Sequence, residues 1–135
     1  MTAEGSLEVE ILGASRLPRE EIERLLSLAL ASAGTEAGHV AVEFVSAERI
    51  AELNAAHRGE EAPTDVLSFP MDGAGGAQAG PVPVELGDIV ICPEHTRDLR
   101  EVVVHGALHL AGMDHERDDG EMLALQREIL SWVTP

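Results

Sequence analysis

The stretch VVVHGALHLAGMDH, residues 102–115, is apolar nearly all the way round a helix as far as Gly112, the mark of a buried central helix rather than a surface one. Two histidines inside such a helix need partners. His105 and His109 are four residues apart, so on a helix they differ by about 40° in direction and about 6 Å along the axis, and can share one ligand. A buried imidazole nitrogen without a partner costs on the order of 1–3 kcal/mol, a cost that a metal removes for the nitrogen it takes. Gly112 follows His109 by three residues, where a left-handed residue can stop the helix and return His115 toward the pair. Three imidazoles at this spacing, with no competing thiols, predict a site for one metal ion. They leave a tetrahedral ion one ligand short, so water or substrate is expected in the fourth position, as in catalytic sites. Zinc is the expected ion, although three imidazoles also suit nickel, cobalt or copper.

Upstream of this helix, ELGDIVICP (85–93) reads as a strand, with Cys92 as a buried strand thiol rather than a nucleophile. The central helix is expected from about Glu94 to about Ala111, and a last helix over DDGEMLALQREILSWV (118–133). Toward the N-terminus, TDVLSFPM (64–71) predicts a strand, and Gly59 and Pro63 bracket the turn before it. Ser46 is the expected N-cap of a helix AERIAELNAAH (47–57). HVAVEFV (39–45) and LEVEIL (7–12) alternate as half-exposed strands do. REEIERLLSLALASAG (19–34) has acids in its first turn, helical spacing of apolar residues and a terminal glycine. Residues 72–84, DGAGGAQAGPVPV, are too rich in Gly, Ala and Pro for regular structure and are expected to form a flexible loop. Strands alternating with helices predict an α+β fold: a mixed four-stranded sheet packed with helices, the central apolar one carrying two ligand histidines.

A chain of 135 residues, 44% hydrophobic, is expected to be a single domain over 1–135. Its start lacks a basic segment followed by an apolar run, and no stretch approaches the ~18 apolar residues of a membrane span, so a cytoplasmic protein without membrane contact is expected. The formal charge is −16, with 25 acidic residues against nine basic ones, all arginine. That balance argues against a general nucleic-acid binder with a broad basic face. It leaves room for a local arginine site, because charges beyond about 8 Å are largely screened at physiological salt.

The same histidine spacing occurs in the metzincin protease pattern HExxHxxGxxH, but Gly106 stands where that pattern has its glutamate base. The protease reading therefore lacks its catalytic base. Asp114, Glu101 and Asp98 each read first as solvated surface carboxylates and second as candidates to orient a ligand or accept a proton, Asp114 foremost because it sits between two of the histidines. Arg58 ends a helix just before a turn, and its planar cation suits a phosphodiester oxygen as well as a helix C-terminus. Asp65 and Ser68 read as a turn residue and a strand hydroxyl, and His39, His57 and His95 have no ligand spacing.

HGALHLAGMDH (105–115), LNAAHRGEEAPTDVLSFP (53–70) and ELGDIVIC (85–92) together resemble the YbeY endoribonuclease family, in order and spacing over most of the chain. The resemblance implies a metal-dependent, single-strand-specific ribonuclease that matures the 3′ end of small-subunit (16S) rRNA and acts in ribosome quality control. It implies His105, His109 and His115 as ligands of one Zn²⁺ and Arg58 as a functional arginine beside them. It also implies single-stranded rRNA as substrate, with ribosomal small-subunit proteins or a ribosome-associated GTPase as partners. The family usually has a longer helical insertion between Cys92 and the first ligand; only PEHTRDLREVVV stands here, so an altered cleft edge is expected. Two other readings fit the residues: a metallohydrolase acting on peptides or amides, which Gly106 disfavours, and a non-catalytic ribosome-assembly factor stabilised by zinc. The latter would need a fourth protein ligand, for which Cys92 or Asp114 would have to come close.

Overall fold

The computed structural model describes residues 7–35, 37–71 and 84–133. Four strands, β1 (Leu7–Leu12), β2 (Gly38–Phe44), β3 (Val66–Pro70) and β4 (Glu85–Ile91), form one sheet in the order β1-β2-β4-β3. The first three in that order run parallel, and β3 pairs antiparallel with β4 at the edge. Among the described residues four helices accompany it: α1 (Arg19–Ser32), α2 (Ala47–Arg58), α3 (Leu99–Leu110) and α4 (Glu121–Val133). This is the α+β fold with a mixed four-stranded sheet that the alternation of elements predicts.

The two faces of the sheet are covered differently. Val40, Val42, Ile89 and Ile91 face α1, α3 and α4, which supply Leu25, Leu26, Val103, Val104, Leu108 and Ile129 to the main core. Side chains of this kind contribute ~1.5–3 kcal/mol each when fully buried. On the other face, Leu67, Val90 and Cys92 pack with Ile50 of α2 in a smaller cluster. Cys92 is fully buried there, as its apolar neighbours predict.

Helix α3 lies against β3 and β4 on one side and against α1 and α4 on another, and is buried along most of its length. Its close approach to the sheet depends on Gly106: a Cβ there would stand 2.7 Å from Ile89 Cγ2. Ser68 Oγ on β3 donates to the Gly106 carbonyl at 3.3 Å, a further tie between helix and sheet edge.

The start of α3 differs from the expectation of about Glu94. Pro93–His95 forms a separate 3₁₀ turn, closed by Thr96 Oγ1 donating to the Cys92 carbonyl. The helix begins only after Asp98, whose carboxylate accepts from the backbone N–H groups of Arg100 and Glu101. Asp98 is thus an N-cap and not a proton acceptor for the histidines. An ion pair between Arg100 and Glu21 fixes this end of α3 to α1. Of the expected loop at 72–84, residues 72–83 lie outside the described residues. Among the described residues, no helix is long and apolar enough to cross a membrane.

Candidate metal centre

His105 and His109 occupy successive turns of α3, as their spacing requires, with ring centroids 4.8 Å apart. The helix then ends in two reverse hydrogen bonds, Gly112 N to the His109 carbonyl and Met113 N to the Leu108 carbonyl, around Gly112 at φ +101°. This pattern needs a left-handed residue, which glycine adopts without penalty. The chain reversal has two products. It turns the Met113 carbonyl back to accept from His109 Nδ1 at 3.0 Å. It also delivers His115, whose ring lies 5.2 Å from that of His105 and 5.3 Å from that of His109.

His105 Nδ1 donates to Gln126 Oε1 of α4 at 2.8 Å. In both helix histidines the proton is therefore on Nδ1 and the lone pair on Nε2, the form in which an imidazole binds a metal. One nitrogen from each of the three histidines lies within 4.8 Å of the others. A closed tetrahedral zinc site has about 3.4 Å between ligands, given Zn–N bonds of ~2.1 Å, so these three stand near one another but would have to draw closer around an ion. A donor set of three imidazoles, two of them oriented from behind, fits a divalent transition metal.

Burial, and secondly the neighbouring His105, push the His109 pKa below its ordinary 6.5. A neutral ring in the folded chain and an ordinary one in the unfolded chain make protonation destabilising. The stability this gives is complete above about pH 6.5 and is lost as pH falls from there through the lowered folded value. Chelator-treated protein is thus expected to lose urea resistance between pH 7.5 and 5.5, and His109→Asn to lose less of it. Equal losses in the two proteins would show that His109 is not the group responsible.

The candidates to orient or complete the site fare differently. Asp114 does not hold a histidine: its carboxylate accepts from Glu116 N at 3.0 Å and approaches Arg117 Nε at 3.5 Å, closing the turn that presents His115. Glu101 is exposed in the first turn of α3. Cys92 is committed to the cluster beneath α2. Among the described residues the ligand group is the three histidines alone, so neither Cys92 nor Asp114 supplies a fourth donor. Gln126, which sequence reasoning passed over, is 7% exposed and sits between buried Met122 and Ile129 on the apolar face of α4. A polar residue at such a position must find a partner, and that was its available signal.

The histidines open into a cleft of about 610 Å³ whose wall also carries His57, Arg58, Asp65 and Ser68. Arg58 comes there because α2 runs to its last turn before Gly59, at φ +76°, caps it. The start of that helix is fixed by Ser46 Oγ accepting from Arg49 N at 3.1 Å, as expected. Asn54 holds the loop beyond α2 by donating to the Ala62 carbonyl at 2.8 Å. Arg58 is exposed and forms no ion pair with a described residue, which leaves its five N–H donors for a ligand. His57, without ligand spacing in the sequence, also faces this cleft, its ring edge-on to Phe69 at 4.6 Å. His39 is elsewhere, between Glu10 and Glu85 on the sheet.

Comparison with known proteins follows the same lines. A family model described as endoribonuclease YbeY matches residues 10–134. A protein of that name from Rubrobacter xylanophilus is 40% identical over 130 residues, covering 92% of this chain and 91% of its own. One from Bacillus subtilis is 35% identical over 148 residues, covering 93% and 88%. The solution structure of a Thermotoga maritima protein superposes with a TM-score of 0.55 at 29% identity, over 91% of this chain and 87% of that one.

Proposed function

The chain belongs to the YbeY endoribonuclease family, and from that premise we propose that it is a zinc-dependent endoribonuclease that cuts single-stranded RNA. Within this reading, residues 1–135 act as one cytoplasmic domain that matures the 3′ end of 16S rRNA and serves ribosome quality control. Ribosomal small-subunit proteins or a ribosome-associated GTPase are its partners. The observation that carries the proposal is the convergence of three imidazoles, with no fourth protein donor among the described residues, in a cleft that also holds an arginine without an ion pair to any described residue.

His105, His109 and His115 would hold the ion, which when bound supplies a Lewis acid for a phosphodiester oxygen. The chain's own residues do the rest. The Met113 carbonyl and the Gln126 amide would keep the two helix imidazoles aimed, each with its Nε2 left free. Arg58 takes the non-bridging oxygens in its planar fork and offsets the charge that grows at phosphorus as the bond breaks. The reacting groups thus meet a local positive field on a chain of net charge −16.

Arg58 tests this reading. Arg58→Ala is expected to lower kcat/KM on a 5′-labelled single-stranded RNA by about 10²–10³, the usual effect of removing one charge-stabilising donor. Arg58→Lys should recover only part, since an ammonium cannot make the paired contact. Wild-type rates in Arg58→Ala, or a single-stranded RNA left intact by the wild type, would overturn the assignment. Product ends bearing 2′,3′-cyclic phosphate would identify the RNA 2′-hydroxyl as the nucleophile.

A further inference from the structure

Among the described residues two polar side chains are buried, Asn54 and Gln126. Asn54 has a plain structural task, holding the loop after α2. Gln126 has none that packing explains. Its neighbours on the same face of α4, Met122 and Ile129, are fully buried, and an aliphatic side chain between them would complete the core. A buried amide is costly unless it is hydrogen-bonded. The bond it makes is to Nδ1 of His105, at 2.8 Å across 21 residues of sequence.

An amide oxygen only accepts, so with Oε1 toward the ring the imidazole proton must be on Nδ1 and the lone pair on Nε2. With the amide reversed, the ring would have its proton on Nε2 and could not ligate through that atom. We propose that Gln126 is a positioning residue of the metal centre, which fixes His105 in its ligating tautomer and, being an amide where a carboxylate would also fit, adds no negative charge behind the ligand. This rests on the metal-dependent reading above. The bound cation then keeps its double charge toward an anionic phosphodiester, whereas a carboxylate behind the ring would offset part of it.

The test uses the full chain and three readouts at pH 8. In the metal-free wild type, imidazole ¹⁵N NMR is expected to show His105 protonated on Nδ1; protonation on Nε2 would overturn the proposal. Zn²⁺ affinity is measured by competition with a chromophoric chelator. Gln126→Met, similar in volume but without the acceptor, should bind Zn²⁺ about 10–100-fold more weakly, while its metal-free melting temperature stays at or above that of the wild type. Gln126→Glu should restore Zn²⁺ affinity. The zinc-loaded Glu variant should bind inorganic phosphate about tenfold more weakly than the zinc-loaded wild type, the effect of one charge roughly 8 Å away at an intermediate dielectric. Unchanged Zn²⁺ affinity in Gln126→Met would reduce Gln126 to a packing residue, and unchanged phosphate affinity in Gln126→Glu would remove the charge argument. Should Gln126→Met not fold, the wild-type tautomer decides. Failure of the wild type itself to bind Zn²⁺ would strike the metal-dependent reading, and the tautomer would still report on the Gln126 contact.

Discussion

His109→Ala is expected to lose metal binding and RNA cleavage together. His109 is the middle one of the three proposed ligands, on the turn of α3 after His105, with its Nδ1 engaged by the Met113 carbonyl. Removing a residue that merely orients a ligand costs about 10–100-fold in metal affinity, so removing the ligand should exceed the upper end of that range. Cleavage should fall by ~10³ or more, since the electrostatic centre goes with the ion. Metal content after dialysis and cleavage of single-stranded RNA, in a preparation free of other nucleases, are the measurements. Chelation of the wild type should give the same loss. Full metal content with full activity in His109→Ala would refute the site.

Gly106→Glu is expected to unfold the chain or leave it barely stable. The substitution creates HExxH in the sequence, and by motif alone it would convert the site toward a metalloprotease. The structure predicts otherwise. A Cβ at 106 lies 2.7 Å from Ile89 Cγ2 and 3.3 Å from the Cδ1 and Cγ1 of the same side chain, which is fully buried. The added carboxylate would enter the layer between α3 and β4 rather than reach the histidines. Overpacking costs about 1–3 kcal/mol and an unpaired buried charge about 3–5 kcal/mol, together a large part of the 5–15 kcal/mol typical of a domain. A urea titration should show a collapsed midpoint or no cooperative transition, and peptide substrates should stay uncut. A native, peptidase-active Gly106→Glu protein would refute this account of the helix–sheet contact.

Gly106 also illustrates what could be read from sequence. Its meaning as a missing base is plain from the motif; its meaning as the point where α3 meets β4 depends on a partner 17 positions away in the chain, and no local pattern carries that. The proximity of His105, His109 and His115 was legible because helix pitch and one glycine turn bring them together within eleven residues. From its own residues Arg58 was legible only as a helix-terminal cation; the resemblance put it beside the histidines, and the fold brings it into their cleft. Gln126 was not recognised, since amphipathic spacing reads it as one polar break in a helix and says nothing of α3. The start of α3 was misplaced because Pro93 resembles a first helical residue, while the 3₁₀ turn it opens closes on itself and leaves Asp98 as the cap. Asp114, a candidate to orient a histidine from its place between two of them, has a shorter-range task, accepting from Glu116 N, that takes its carboxylate first.

The two contacts behind the helix histidines differ in how far the chain must travel to make them. His109 meets its acceptor four residues on, in the same reversal that ends α3, whereas His105 waits for a residue 21 positions away on α4. Closing a short loop is fast and costs little entropy, and the longer closure needs the C-terminal helix docked. Assembly of the cluster is therefore expected to have an order: one half is organised as soon as α3 and its turn exist, and the other is completed when α4 docks. A chain with α3 formed and α4 not yet docked would have only one of its two helix histidines held from behind, and the ring of His105 would gain its partner only when α4 packs against α3.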